Sequence, residues 1–266
     1  MDLRLAGRRA LVTGGSRGIG KATAVALFGE GAEVTIAARS PERLKQAAAD
    51  IGAGAQRQVY AVAADTGDDA SVRRLVERAT ELMGGVDILV NCAATPGGQA
   101  PPAALPEITS EAFWADMNVK VLGYLRCAQA VAPGMIASGW GRIINVSGLA
   151  ARSTGSTIGS IRNVSVAALT KNLADELGPA GINVTVIHPG LTRTEATDGV
   201  MAARAAAAGV DPAEIERRTA ETTTIGRLIV AAEIADFIAF LASPLSVSIN
   251  GEAIACGGGA PGAIHY

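Results

Sequence analysis

Three groups of residues in this 266-residue chain could do chemistry. The first is a glycine-rich turn, Gly14-Gly15-Ser16-Arg17-Gly18-Ile19-Gly20, lying between the apolar run Ala10-Leu11-Val12 and a helix-like pattern from Lys21 to Phe28. Gly14 and Gly18 permit backbone angles closed to other residues, and Gly20 lets a helix pack close to a strand. The free N–H groups at the helix start then favour an anion. Strand, turn and helix in that order read as the entrance of a dinucleotide-binding βαβ unit. The second group is a pair of guanidiniums, Arg17 inside the turn and Arg39 just after the β-branched run Glu33 to Ala38. Dinucleotide folds often place an acid at that point for the ribose hydroxyls, and here there is none. Two guanidiniums suit a 2′-phosphate, although each alone reads as a solvated surface side chain. The third group holds possible proton carriers: Ser147, Thr157, Ser160 and His188, with Arg162 as a holder of an anionic substrate group. His188 could titrate near neutrality or simply pack at a strand end.

The spacing Thr13-Gly14-x-x-x-Gly18-x-Gly20 resembles the short-chain dehydrogenase/reductase family, and the likeness runs from about Leu5 to Gly259. It implies NADP(H), preferred over NAD(H), held by Gly14, Ser16, Arg17, Gly18, Ile19, Gly20 and Arg39. Asp65 would meet the adenine or cap the next helix. Asn91-Cys92-Ala93-Ala94 resembles the family's Asn-Asn-Ala-Gly and places Asn91 and Ala93 beside the cofactor. His188-Pro189-Gly190-Leu191-Thr192-Arg193-Thr194 resembles the loop that meets the nicotinamide amide through Pro189, Gly190, Thr192 and Thr194. The polar, alanine-rich stretch Glu195 to Thr224 corresponds to the family's mobile substrate lid.

The family's chemistry rests on Tyr-x-x-x-Lys, one helical turn apart on a single face. Here Gly159 falls at the Tyr position and Asn163 at the Lys position, counted back from Leu169-Thr170-Lys171. The resemblance leaves four residues at catalytic positions: Asn118, Ser147, Gly159 and Asn163. Asn118 opens Asn118-Val119-Lys120-Val121-Leu122-Gly123, compared with the family's Asn-x-x-Gly. Ser147 would polarise the substrate carbonyl, unless Gly148 takes that place. Gly159 is expected to leave space beside the hydride, and Asn163 to hold a ribose hydroxyl without supplying charge. Lys120, two residues from Asn118, is expected on a different helix face, and Tyr124 in the core. The tail pair His265 and Tyr266 could reach a neighbouring site in an oligomer. The function expected from these residues is that of an NADP(H)-dependent oxidoreductase acting on a carbonyl, alcohol or enone through an altered proton relay. The alternatives are a non-catalytic NADP(H)-binding subunit or sensor, and non-redox chemistry in the same pocket.

These residues need a frame to hold them. Apolar β-branched runs alternate with helical patterns: Glu33–Ala38, Gln58–Ala64, Val86–Val90, Gly141–Val146, Ile182–Ile187 and Glu252–Cys256 as strands, with helices between. That alternation predicts one α/β domain, a Rossmann-type doubly wound parallel sheet with helices on both faces. Hydrophobic residues at 49% suffice for a large core, and a net charge of -2 argues against a nucleic-acid or membrane-surface partner. Cys92, Cys127 and Cys256 are scattered, so no metal site is expected. No signal peptide is read at the charged start. The expected setting is cytoplasmic, the partner a small-molecule substrate, and the assembly a homo-oligomer, tetramer or dimer.

Overall fold

The computed structural model describes residues 1–95 and 102–262. Seven parallel strands form the main sheet: β1 (Arg9–Thr13), β2 (Glu33–Ala38), β3 (Tyr60–Ala63), β4 (Ile88–Asn91), β5 (Gly141–Val146), β6 (Ile182–Pro189) and β9 (Ala253–Cys256). Their order is β3-β2-β1-β4-β5-β6-β9, so the winding reverses between β1 and β4. A second, two-stranded sheet pairs β7 (Thr192–Arg193) with β8 (Ile229–Val230).

Side chains alternate across each strand, which sorts the core into two layers. Ala10, Val12, Val34 and Ile36 face α1 (Gly18–Gly29), α2 (Pro41–Ile51) and α9 (Ala231–Ala242). Leu11, Leu89, Ile143 and Val184 face α3 (Asp69–Met83), α5 (Gly123–Ser138) and α6 (Thr157–Leu177). Helices cover both faces, so β4, β5 and β6 are buried along their whole length. This is the doubly wound parallel fold expected from the alternation. The strands at Gln58–Ala64 and Val86–Val90 are shorter than expected, at Tyr60–Ala63 and Ile88–Asn91.

Local chemistry sets the helix ends. Ser40 caps α2 through the Arg43 N–H at 3.4 Å, with Pro41 at the first position. Asp68, not Asp65, caps α3, accepting from the Ser71 N–H at 2.6 Å. Asp65 instead closes its own turn on the Gly67 N–H at 2.9 Å.

The helical stretch from Ser110 to Ser138 is broken. Helix α4 (Ser110–Met117) passes through a π-helical turn, Asn118–Leu122, into α5. Outside groups widen that turn. The Thr66 hydroxyl donates to the Val119 carbonyl at 3.3 Å, and Arg126 donates to the Asn118 carbonyl at 3.0 Å. Gly123 ends the turn where a Cβ would stand 3.0 Å from the Thr66 backbone oxygen. Residues 195–224, which do not fit the strand–helix alternation, form two further helices, α7 (Thr197–Ala208) and α8 (Pro212–Ala220).

At the β1–α1 turn, main chain meets main chain. A Cβ on Gly20 would lie 2.3 Å from the Gly14 carbonyl oxygen, and Gly14 itself holds φ +68°. Gly20→Ala is therefore expected to lower stability by about 2–3 kcal/mol, as overpacking of a tight contact does. Thermal melting should fall by about 5 °C or more.

Candidate active site

A cavity of about 860 Å³ opens at the carboxyl ends of the strands, where the winding reverses between β1 and β4. One wall is the glycine turn: Gly14, Ser16, Arg17, Gly18, Ile19 and Gly20 all line it. Arg17 is extended, at φ -164° and ψ 170°, so the N–H groups of the first turn of α1 face the cavity mouth. The Gly18 N–H already holds an anion: the Glu195 carboxylate accepts it at 3.0 and 3.4 Å. The helix start thus meets a negatively charged group, as the free N–H groups and the dipole of a helix N-terminus favour. Beside it, Arg39 and Arg43 line the same wall. Like Arg17, neither has a side-chain hydrogen bond or ion pair among the described residues. Asp65, Thr66 and Ala93 line the floor, and Pro189, Gly190, Thr192 and Thr194 the far side.

The deep end holds a polar cluster. Ser147 and Gly148 come directly after β5, and Asn163 projects from α6. The Ser147 hydroxyl donates to the Asn163 carbonyl at 3.1 Å and to its Oδ1 at 3.2 Å. Lys120 joins them from the π-helical turn. Its Nζ donates to the Ser147 carbonyl at 2.9 Å and to Asn163 Oδ1 at 3.1 Å. Lys120 is only 4% exposed, yet it lines the cavity. Burial, and then the Arg162 guanidinium, push its ammonium down to about 7, while Asp116 and Cys92 oppose the shift. Two donors on one amide oxygen fix Asn163 with its Nδ2 turned from them, beside Gly148.

Several expected site residues stand elsewhere. Asn118 does not line the cavity: its Nδ2 donates to the Gly67 carbonyl at 3.0 Å and its Oδ1 accepts from Arg126 at 2.8 Å, bracing the π-helical turn. Asn91 is fully buried below the floor, donating to Asn145 Oδ1 at 2.9 Å. Gly159 lines the cavity, but the space beside it is taken. A Cβ there would lie 2.7 Å from the Ser156 hydroxyl, which caps α6 by accepting the Gly159 N–H at 3.1 Å. His188 is 1% exposed and does not titrate near neutrality, since burial and the Arg152 and Lys120 charges push it down to about 4. Thr157 and Ser160 face away from the cavity, the latter onto the Ser153 carbonyl at 2.9 Å. Arg162 does line it, but it is no free surface arginine: both Asp116 oxygens hold it at 2.8 Å. Tyr124 is in the core as expected, donating to the Val146 carbonyl at 2.9 Å. His265 and Tyr266 lie outside the described residues. Among the described residues no cluster of His, Cys, Asp and Glu could hold a metal, and no helix is long and apolar enough to cross a membrane.

Lys120 is the residue that sequence reasoning missed. The rule that residues two apart face different ways holds, but Asn118 is the wrong reference, because it is Asn118 that faces outward. A signal is present: Gly123 lies three residues after Lys120 and five after Asn118, so Lys120, not Asn118, stands at the first position of the Asn-x-x-Gly spacing.

Known proteins share this architecture. The short chain dehydrogenase family model matches residues 8–205. The chain is 34% identical over 253 residues to the short-chain reductase protein NovJ of Streptomyces niveus, covering 95% of this chain and 93% of that one. It is 37% identical over 245 residues to a sorbitol dehydrogenase of Cereibacter sphaeroides, covering 91% and 93%. The crystal structure of L-sorbose reductase from Gluconobacter frateurii, complexed with NADPH and L-sorbose, superposes with a TM-score of 0.92 at 30% identity, covering 99% and 100%.

The site geometry has two measurable consequences. The Lys120 value in the fold, about 7, lies below the ordinary 10.5. Between those values the unfolded chain binds the proton and the fold does not, so wild-type stability rises with pH across that window. The stability advantage of Lys120→Met over wild type, read by urea denaturation, should be about 2–3 kcal/mol larger at about pH 6 than at about pH 9. Separately, Glu195→Gln should tighten inorganic pyrophosphate binding roughly threefold in calorimetry, because a competing anion leaves the helix start.

Proposed function

Because this chain belongs to the short-chain dehydrogenase family, we propose that it is an NADP(H)-dependent oxidoreductase that interconverts a carbonyl and an alcohol, or reduces an enone, with an altered proton relay. The observation that carries the cofactor choice is the pairing of Arg17 and Arg39 on one cavity wall without acid partners among the described residues. No carboxylate stands at the end of β2 to repel a 2′-phosphate. The NADPH named with the L-sorbose reductase supports the same choice.

In this reading the amides of Gly14 to Gly20 hold the pyrophosphate, and Arg17 and Arg39 hold the 2′-phosphate. Asp65 and Ala93 flank the adenine side. Pro189, Gly190, Thr192 and Thr194 hold the nicotinamide amide, and Asn163 a ribose hydroxyl. The nicotinamide supplies or accepts a hydride when bound. Glu195 must leave the helix start as the pyrophosphate arrives, because both seek the Gly18 N–H. Thr194, Glu195, Thr197, Val200 and Met201 line the cavity, so α7 borders it, and residues 195–224 would serve as the substrate lid. The family's Tyr and Lys are replaced by Gly159 and Asn163, and Ser147 would polarise the reacting oxygen once its hydroxyl turns from Asn163 to the substrate. The substrate is a small molecule of an otherwise cytoplasmic enzyme that acts as a homo-oligomer.

The test is binding and turnover together. Calorimetry should detect NADPH more tightly than NADH, and a panel of ketones and enones should consume NADPH absorbance. Arg17→Ala with Arg39→Ala should weaken NADPH about 10–100-fold, the loss of charge-assisted pairs of about 1.5–3 kcal/mol, and leave NADH within about threefold. Absence of affinity for both cofactors overturns the reading. Tight NADPH binding without turnover on any carbonyl would make the chain a binding subunit instead.

A further inference from the structure

The oxidoreductase reading leaves a proton unassigned: reduction of a carbonyl needs one at oxygen, and no phenol reaches the cavity among the described residues. Tyr124 is held in the core by the Val146 carbonyl, and Tyr60 lies on β3, away from the lining residues. His188 is buried and does not line the cavity. Ser147 spends its hydroxyl hydrogen on Asn163. Of the remaining lining groups, burial pushes the Cys92 thiol up to about 12 and the Ser156 hydroxyl caps α6, which leaves the Lys120 ammonium as the readiest proton source at the deep end.

We propose that Lys120 is the catalytic acid–base of this enzyme, its ammonium giving a proton to the reacting oxygen from the π-helical turn between α4 and α5. The proposal rests on the oxidoreductase reading and deepens it. Three observations carry it. Lys120 lines the cavity although it is almost wholly buried. Its Nζ makes two hydrogen bonds among the described residues, to the Ser147 carbonyl and Asn163 Oδ1. An ammonium has three N–H bonds, so one is left over. Its two acceptors are the backbone of one expected catalytic residue and the side chain of another, which places the nitrogen between Ser147 and Asn163.

In the reductive direction a bound reduced nicotinamide would supply a hydride, two electrons and one proton, for the carbonyl carbon. The C=O π electrons move to oxygen as that bond forms. One Lys120 N–H bond breaks, its electron pair stays on nitrogen, and its proton forms the new O–H bond. The products are an alcohol, oxidised nicotinamide and a neutral amine, which solvent reprotonates through the cavity. Oxidation runs the same exchange backwards, with the neutral amine as base. The amine keeps both acceptors in either state, since it needs only two N–H bonds to satisfy them.

The surroundings tune the group for this work. Arg162 faces it from α6, Asp116 from α4 and the Cys92 thiol from the segment after β4. Asp116 binds Arg162 through both oxygens, so the site is not left with two uncompensated cations. Burial beside Arg162 brings Lys120 to about 7, where the acid and base forms coexist at neutral pH. Asn163 is a positioning residue here, orienting the amine through Oδ1.

The test uses the full-length protein labelled with lysine carrying 13C at Cε. The chain has four lysines, Lys21, Lys45, Lys120 and Lys171, so the spectrum is assigned by the signal missing in Lys120→Met. The Lys120 signal should titrate with a midpoint of about 7. A Lys120 midpoint above about 9 overturns the proposal. With a ketone that wild type reduces, Lys120→Met should lower kcat about 100–10,000-fold, while the NADPH dissociation constant changes less than about threefold. Lys120→Arg keeps a charge that does not titrate, so it should lose kcat without recovering the wild-type pH profile. A Lys120→Met protein with native circular dichroism and undiminished kcat overturns the proposal and leaves the oxidoreductase reading intact. Failure of wild type to oxidise NADPH with any substrate overturns that reading first.

Discussion

Everything at the working end of this molecule depends on how closely the main chain of the β1–α1 turn approaches β4. A Cβ on Gly14 would lie 2.9 Å from the backbone of Cys92 and Ala93, and one on Gly20 only 2.3 Å from the Gly14 oxygen. No side chain fits between these segments. The first amides of α1 therefore stand uncovered by side chains of the turn at the carboxyl end of the sheet, and the Gly18 N–H there meets the Glu195 carboxylate. The Thr13 hydroxyl draws β4 to the same level, accepting from the Cys92 and Ala93 N–H groups at 3.2 and 3.3 Å. Register carries that level outward, because Thr13 pairs with Asn91, Asn91 with Asn145, and Val146 with Ile187. The strands thus end together, and the segments leaving their carboxyl ends line one cavity.

Below the cavity a hydrogen-bonded chain crosses from the sheet into α6. Asn91 Nδ2 reaches Asn145 Oδ1, and Asn145 Nδ2 reaches the Thr170 hydroxyl, each at 2.9 Å. Thr170 closes the chain on the Val166 carbonyl at 2.8 Å. Asn91 Oδ1 has no partner among the described residues, so it is the bonds through Asn145 and Thr170 that tie α6 to β5 in one rotation. Asn163 lies two turns before Thr170 and so shares its face, toward Ser147 and Lys120. The residue expected beside the cofactor, Asn91, thereby acts from underneath: it orients the helix that presents the site. The Arg9–Asp87 pair serves a similar purpose at the opposite end of β1. Burial alone would raise the Asp87 carboxyl, but hydrogen bonds from the Arg9 side chain and backbone outweigh it and hold it below its ordinary value.

Much of the frame is readable from local pattern because its determinants are local. Ser40-Pro41 specifies a helix start by capping and a fixed φ, and Gly141 to Val146 is buried throughout because both faces are covered. The glycine cradle is readable for the same reason, since three glycines at fixed spacing describe one turn. Lys120 is not. Its direction depends on a change of helical pitch, and that change is imposed by Thr66 and Arg126, 54 and 6 residues away in sequence. Nothing in Asn118 to Gly123 by itself says where a widened turn falls. Ser156 makes the same point at Gly159. A missing side chain suggests open space, but the cap of the same helix has folded into it.

The absence of a lysine at 163 and the presence of one at 120 are linked electrostatically. Lys120 Nζ lies 3.1 Å from Asn163 Oδ1. A second ammonium within a few ångströms of the first would repel it by about 4–5 kcal/mol even at an effective dielectric near 20. That far exceeds what one neutral hydrogen bond contributes, about 1 kcal/mol. An amide at 163 converts the repulsion into an acceptor, and its remaining Nδ2 hydrogens still face the cavity side beside Gly148. Arg162 could have caused the same conflict from the neighbouring position, and Asp116 neutralises it with two contacts at 2.8 Å. The site therefore holds one titratable cation among the described lining residues at its deep end, with every other charge there either paired or removed. A lysine desolvated among partners of that kind is poised to exchange its proton, whereas the same lysine beside an unpaired acid would be locked in its charged form.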